Sequence, residues 1–187
     1  MVYRNGNYCA FYVSEPFNPS GLGANATRDF VYYNMLRAWK AADPGFPFND
    51  SHAKTYSVRD GSNWEATLKP RLRERLQSSK NIVLFLSSST VQSRALKEEI
   101  EYGIGNQGLP VIVIYPEIDK KEGIAQNNGL SPRVNLLINR LPIFKALMAN
   151  VPTLHVPIDK SLIIAALKDS NFSVSTKTKA DCYWFTV

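Results

Sequence analysis

Ile82-Val83-Leu84-Phe85-Leu86 is an unbroken apolar run, closed by the small hydroxyl residues Ser87-Ser88-Ser89-Thr90. Five residues are too few for a buried helix, and a strand with one wet face would alternate apolar with polar. The run therefore predicts a strand covered by helices on both faces, hence a parallel α/β sheet. Leu109 to Tyr115 repeats the signature, and Thr153 to Ile158 supplies a further strand. The strand–helix–strand order between the first two predicts a right-handed crossover. The expected fold is α/β, three layers about a central, mainly parallel five-stranded sheet. It is expected as one domain over residues 1–187, with a core over about residues 8–170. Residues 171–187 are a C-terminal tail, read either as an added edge strand or as an interaction surface.

A helix is predicted after the run, with Ser93 as its N-cap. At about 100° per residue, Leu96, Ile100 and Ile104 form its buried stripe, and Gly103 permits close approach. Glu98 falls nearly opposite and is expected in solvent, with Glu101 also leaning outward. Glu99 lies on the shoulder of the stripe, half-dry but reachable, and Ala95 one turn earlier leaves room above it. That places one carboxylate near the carboxyl end of a central strand, where open α/β sheets bind ligands.

Tyr8 to Val13 is the predicted first strand. Glu15 to Asn25 carries two prolines and two glycines and reads as a loop. Gly21 and Gly23 would let backbone amides approach a phosphate there, although an ordinary surface loop fits equally well. Arg28 to Ala42 is a helix with Phe30, Tyr33 and Leu36 inward. Phe46-Pro47-Phe48 is a poor, short edge strand, because Pro47 cannot donate to a ladder. Ser62-Asn63-Trp64-Glu65 reads as a capping box. The helix beyond it carries Leu68, Leu72 and Leu76, with Pro70 marking a kink or a restart. Further helices are predicted from Ser131-Pro132 and after Asp159.

The formal charge is +6. Part of the excess, Lys69, Arg71, Arg73 and Arg75, reads as a solvated helix face. No nucleic-acid-binding fingerprint accompanies it, and the same charge would attract an anionic dinucleotide. Two cysteines and two histidines allow neither a disulfide framework nor a zinc spacing. Cys9 is expected as a small buried hydrophobe and His155 as a structural histidine, so no metal site is expected. Without an apolar run near the ~20 residues a bilayer requires, or a secretory leader at Met1 to Asn5, a cytoplasmic location is expected.

The series Ser79, Ser87, Ser93 and Glu99, with an apolar strand between the first two, resembles the third strand and following helix of TIR domains. Ala95-Leu96 stand where that family carries Trp-Cys. Tyr8-Cys9-Ala10-Phe11 resembles its opening box, with Cys9 in place of Asp and Ser14 one residue late. Arg59-Asp60 resembles the second box. Lys54 to Asp60 with Trp64, Lys80 to Ser87, and Glu98 to Gly105 together are similar to the ThsB family of TIR-like proteins from bacterial Thoeris anti-phage defence.

The resemblance implies a flavodoxin-like topology and an enzyme that cleaves NAD+ with Glu99 as the catalytic residue. NAD+ is then the substrate, and no separate cofactor is expected. It further implies cyclisation to a cyclic ADP-ribose isomer, a ThsA-type effector that receives this signal, a phage component as trigger, and self-association into a homo-oligomer through the Arg59-Asp60 loop. The accompanying substrate-binding residues are Phe11 and Tyr12, for stacking, with Ser14, Asp60, Ser87, Ser88 and Ala95. A single ionised carboxylate, titrating near the reference value of about 4.3, would stabilise the ribosyl cation left when nicotinamide departs. Two other classes fit the same residues. One is a non-catalytic TIR adaptor that acts by self-assembly. The other is a different flavodoxin-like nucleotide-binding protein.

Overall fold

A computed structural model of the protein describes residues 4–13, 28–52 and 63–186. Its main sheet has five parallel strands in the order β1 (Gly6–Ala10), β2 (Ser79–Phe85), β3 (Val111–Tyr115), β6 (Thr153–Pro157) and β7 (Cys182–Trp184). A two-stranded hairpin, β4 (Ala125–Gln126) and β5 (Gly129–Leu130), lies outside it. Asn127 and Asn128 turn that hairpin with φ of 52° and 62°, the left-handed region that asparagine tolerates.

The apolar run behaves as its composition requires. Ile82, Leu84 and Leu86 pack into one core, Val83 and Phe85 into the other, and all five are fully buried. The first core is covered by α2 (Lys69–Gln77), α3 (Arg94–Ile100), α4 (Pro132–Ile138) and α5 (Pro142–Leu147). The second is covered by α1 (Arg28–Ala42) and α6 (Lys160–Lys168). Period-2 alternation thus feeds two apolar layers, and neither face of β2 is left for water.

The count of five strands is met with different members from those expected. Phe46 and Phe48 are buried, yet their segment forms no strand. Pairing on that side of β1 shrinks to one parallel bridge, Asn7 with Asp50. Asn7 takes Asn49 O through its N–H and gives its own carbonyl to the Ser51 N–H. Pro47 lacks the amide a ladder needs, and the chain turns away after Ser51. The fifth strand is β7, in the C-terminal tail, joined to β6 in the register Thr153 with Cys182 and His155 with Trp184. His155 is buried and shares a 2.7 Å hydrogen bond with the Tyr115 hydroxyl. Burial lowers its pKa to about 3, so it stays neutral, as a structural histidine would.

One helix start differs from the sequence reading, and two agree with it. Ser62 lies outside the described residues, and the cap of the Trp64 segment is Asn63, whose side chain accepts the Ala66 N–H at 2.9 Å. The first turn, Trp64–Leu68, is π-helical, with the amides of Thr67 and Leu68 both reaching Asn63 O. Pro70 sits in the first turn of α2, where its missing N–H costs nothing, so it marks a restart. Ser93 caps α3 through the Leu96 N–H at 3.1 Å. The helix continues as a π-helical stretch, Glu101–Asn106.

Gly103 in that stretch lies against β2. A Cβ there would meet Ile82 Cδ1 at 2.5 Å and Leu76 Cδ2 at 3.2 Å. Gly103→Val is therefore expected to lower the free energy of unfolding by about 2 kcal/mol, read from urea midpoints. An unchanged midpoint would mean the helix–strand contact has slack that the coordinates lack.

Candidate active site

Beyond the Asn7 bridge, no strand among the described residues covers the edge of β1. The Cys9 carbonyl there is taken by the ring of His52, through Nε2 at 3.0 Å. A carbonyl can only accept, so Nε2 carries the proton and Nδ1 accepts from Arg75 Nη1 at 3.3 Å. Burial holds this imidazole down, to a pKa of about 4, in keeping with that neutral tautomer. A cavity of about 240 Å³ opens beside β1. Its walls come from β1 and the residues after it, α1, His52, the α2 segment and α3. The cavity lies at the carboxyl end of β1, the end of the strands at which open α/β sheets bind ligands.

Glu99 of α3 lines this cavity. The residue is half-buried, and its Oε2 is fully buried. Oε1 accepts a 2.8 Å hydrogen bond from the Tyr8 hydroxyl. Oε2 is buried with no hydrogen-bond partner among the described residues. Burial raises the carboxyl pKa from its ordinary 4.5 to about 8, against the opposing pull of the Tyr8 hydrogen bond and the Arg75 charge. The expectation of an ordinary carboxylate near its reference value is thus corrected. Desolvation outweighs both partners and so favours the protonated form of Glu99.

Glu98 corrects a second expectation. It is not solvated: its side chain is 14% exposed and its Oε1 accepts from Arg73, with Nη2 at 2.6 Å and Nε at 2.7 Å. Lys69 adds a longer contact at 3.9 Å. The basic run of α2 is therefore two rows, each four residues apart. Lys69 and Arg73 meet Glu98, while Arg71 and Arg75 line the cavity with Glu99. Only part of that run is a solvated face. The split follows from the helical angle, since positions i and i+4 share a side and i+2 does not. Helical spacing therefore offered a signal for Arg71 and Arg75 that the charge run concealed.

The aromatic walls are packed among themselves. Phe11 stacks on Tyr33 with centroids 5.3 Å apart, and Phe30 lies 5.8 Å from Phe11. The Tyr33 hydroxyl donates to Asp50 at 2.7 Å. Trp64 forms part of the lining, with the Arg94 guanidinium 4.6 Å over its ring. Tyr8 and Trp64 lay in motifs read from the sequence but were not assigned to a binding site there, and His52 lay in no motif.

The residues read from sequence divide into three groups. Glu99, Phe11 and Ala95 come together in the cavity. Ser87, Ser88 and Tyr12 do not. The Ser87 hydroxyl is buried and donates to Asp29 Oδ1 at 2.6 Å. Ser88 donates its N–H and its hydroxyl to Glu117 Oε1. Tyr12 gives its backbone N–H to Asp29, and its side chain packs against the first core. These groups hold the carboxyl end of the sheet together rather than facing the cavity. Ser14, Arg59 and Asp60 lie outside the described residues. Ser79 has a structural task, since its hydroxyl donates to the Arg75 carbonyl at 2.7 Å and so fastens the end of α2. Cys9 is buried as expected, and burial pushes its thiol pKa well up. Among the described residues, no helix is long and apolar enough to cross a membrane.

The family model described as Thoeris protein ThsB, TIR-like domain, matches residues 8–121. That range holds the first three strands of the main sheet, α1, α2 and α3, and the cavity residues from Tyr8 to Glu99. The chain belongs to the ThsB TIR-like domain family of the Thoeris anti-phage system.

Proposed function

We propose that this protein, acting in Thoeris anti-phage defence, cleaves the nicotinamide–ribose bond of NAD+. The ADP-ribosyl product closes to a cyclic ADP-ribose isomer that activates a ThsA-type effector. The observation that carries this reading is Glu99: it lines a cavity of about 240 Å³, with one carboxylate oxygen fixed by Tyr8 and the other buried without a hydrogen-bond partner among the described residues. That volume is below the roughly 300–1,000 Å³ of sites that enclose a drug-sized ligand. It suits the nicotinamide riboside end of NAD+, with the rest of the dinucleotide outside. Arg71 and Arg75 supply positive charge for its phosphates, and Phe11 and Trp64 supply flat apolar surface for its rings.

The C–N bond breaks with both electrons going to the pyridinium nitrogen, so nicotinamide leaves neutral. The ribosyl carbon becomes cationic, and an ionised carboxylate beside it lowers that barrier. No acid is required for this leaving group, so one carboxylate suffices. A nucleophile within the same adenosine unit then attacks the cation and loses a proton, closing the ring. Water in its place gives linear ADP-ribose, so exclusion of water decides the product.

A carboxyl with a pKa of about 8 must first lose its proton. The positive pyridinium ring of bound NAD+ favours that loss, because an opposite charge nearby stabilises the ionised form. The expected kinetics follow. kcat/KM, which reports the free enzyme, rises with pH to a plateau above about pH 8, whereas kcat reaches its plateau at a lower pH. Nicotinamide release from pH 6 to pH 9, with product masses recorded, checks this. A kcat/KM that is flat across that range would separate Glu99 from the rate.

A further inference from the structure

We propose that Tyr8 is the positioning residue for the NAD+-cleaving carboxylate: its hydroxyl pins Glu99 Oε1 and so fixes the carboxyl group in the cavity wall. This rests on the function proposed above and deepens it. The two residues are 91 positions apart in sequence, on β1 and α3, and meet at 2.8 Å. Tyr8 is 1% exposed, and its ring lies 4.6 Å from that of His52. The phenol therefore has a fixed seat.

A carboxylate on a helix shoulder can rotate about its last bond, which interchanges its oxygens. One short hydrogen bond from a buried strand removes that freedom. The oxygen left over is buried and unpartnered among the described residues, and such an atom is costly unless a ligand completes it. Tyr8 can act only as a donor here. Burial first, and then the neighbouring Glu99, raise its own pKa well above the ordinary phenol value. Among the described residues, the other titratable groups lining the cavity are Cys9 on β1, Tyr33 on α1, His52 beyond the edge of β1, and Arg71 and Arg75 on α2. Of these, Arg75 favours the charged carboxylate, as the Tyr8 hydroxyl does.

The test replaces Tyr8 by Phe, which keeps the ring in the core and removes the donor. Titration of 13Cδ-glutamate-labelled protein by NMR, without substrate, gives the Glu99 midpoint directly. The midpoint is expected to rise by about one pH unit, since a hydrogen bond to the charged form is lost. Nicotinamide release is then expected to fall about tenfold in kcat/KM at pH 7, recovering as pH rises, with kcat falling less than kcat/KM. Should the phenylalanine variant fail to fold, 3-fluorotyrosine at position 8 serves instead. Its stronger O–H donor should move the midpoint down. A folded Tyr8→Phe protein with an unchanged midpoint would overturn the proposal. A moved midpoint in a protein whose wild type releases no nicotinamide, even with infected-cell extract, would leave the hold on Glu99 standing and overturn NAD+ cleavage.

Discussion

Glu99→Gln yields a protein that is more stable than the wild type at pH 8 and releases at least about a thousandfold less nicotinamide. Both halves come from the same burial. The amide keeps an oxygen for the Tyr8 hydroxyl, which now lies 2.8 Å from Glu99 Oε1. It cannot carry the negative charge that the departing nicotinamide calls for.

The stability half has a definite sign. In the unfolded chain Glu99 ionises near 4.5, in the folded protein near 8. Between those values the folded state holds a proton that the unfolded state has released, so stability falls as pH rises through the window. Glutamine does not titrate. The advantage of the variant is therefore small at pH 5 and grows toward pH 8, to an order of 2–4 kcal/mol. Urea unfolding at the two pH values reads this difference. A variant less stable than wild type at pH 8 would mean that the carboxyl is better solvated than its surroundings imply. An active site that weakens the fold in this way is an ordinary exchange of stability for chemistry.

The second large effect lies beside the cavity and touches no substrate. Asp29, in the first turn of α1, is fully buried. Its carboxylate accepts the Ser87 hydroxyl at 2.6 Å, the Thr90 hydroxyl at 2.9 Å and the Tyr12 backbone N–H. It thereby ties α1, the end of β1 and the turn after β2 into one unit. Asp29→Ala leaves those donors buried without an acceptor. The expected loss is about 3 kcal/mol of unfolding free energy. Asp29→Asn keeps one acceptor oxygen, and the two hydroxyls can rotate, so it should cost roughly 1 kcal/mol. Because α1 carries Phe30 and Tyr33 into the cavity wall, the alanine variant should also raise KM. Equal stabilities for the two variants would show that the carboxylate is not the organising group.

The layer architecture was legible because an apolar run such as Ile82–Leu86 has few ways to hide from water. Glu99 was legible as a place, because its neighbours Leu96 and Ile100 fix the angle of α3. Its chemistry was not. The pKa depends on Tyr8 and on the closure of the cavity, and a contact spanning 91 residues has no local signature. Glu98 misled for the same reason: its angle points away from the core, but α2 packs there and brings Arg73 within 2.6 Å. Ser87 had the right residue type at the right strand end, yet the buried Asp29 claims its hydroxyl. The edge beside β1 was anticipated as weak from Pro47. That pairing among the described residues would shrink to one bridge, with His52 and a cavity beside β1, depended on the turn at Ser51 and His52.

The central claim, that the half-satisfied Glu99 carboxylate breaks the nicotinamide–ribose bond, is most directly tested by mass spectrometry of NAD+ incubated with the protein and extract from phage-infected cells. The account predicts that free nicotinamide appears in step with a product of cyclic ADP-ribose mass, and that Glu99→Gln protein gives neither. Nicotinamide formed equally by the Glu99→Gln protein, or NAD+ left intact by a wild-type protein that binds it, would contradict the account.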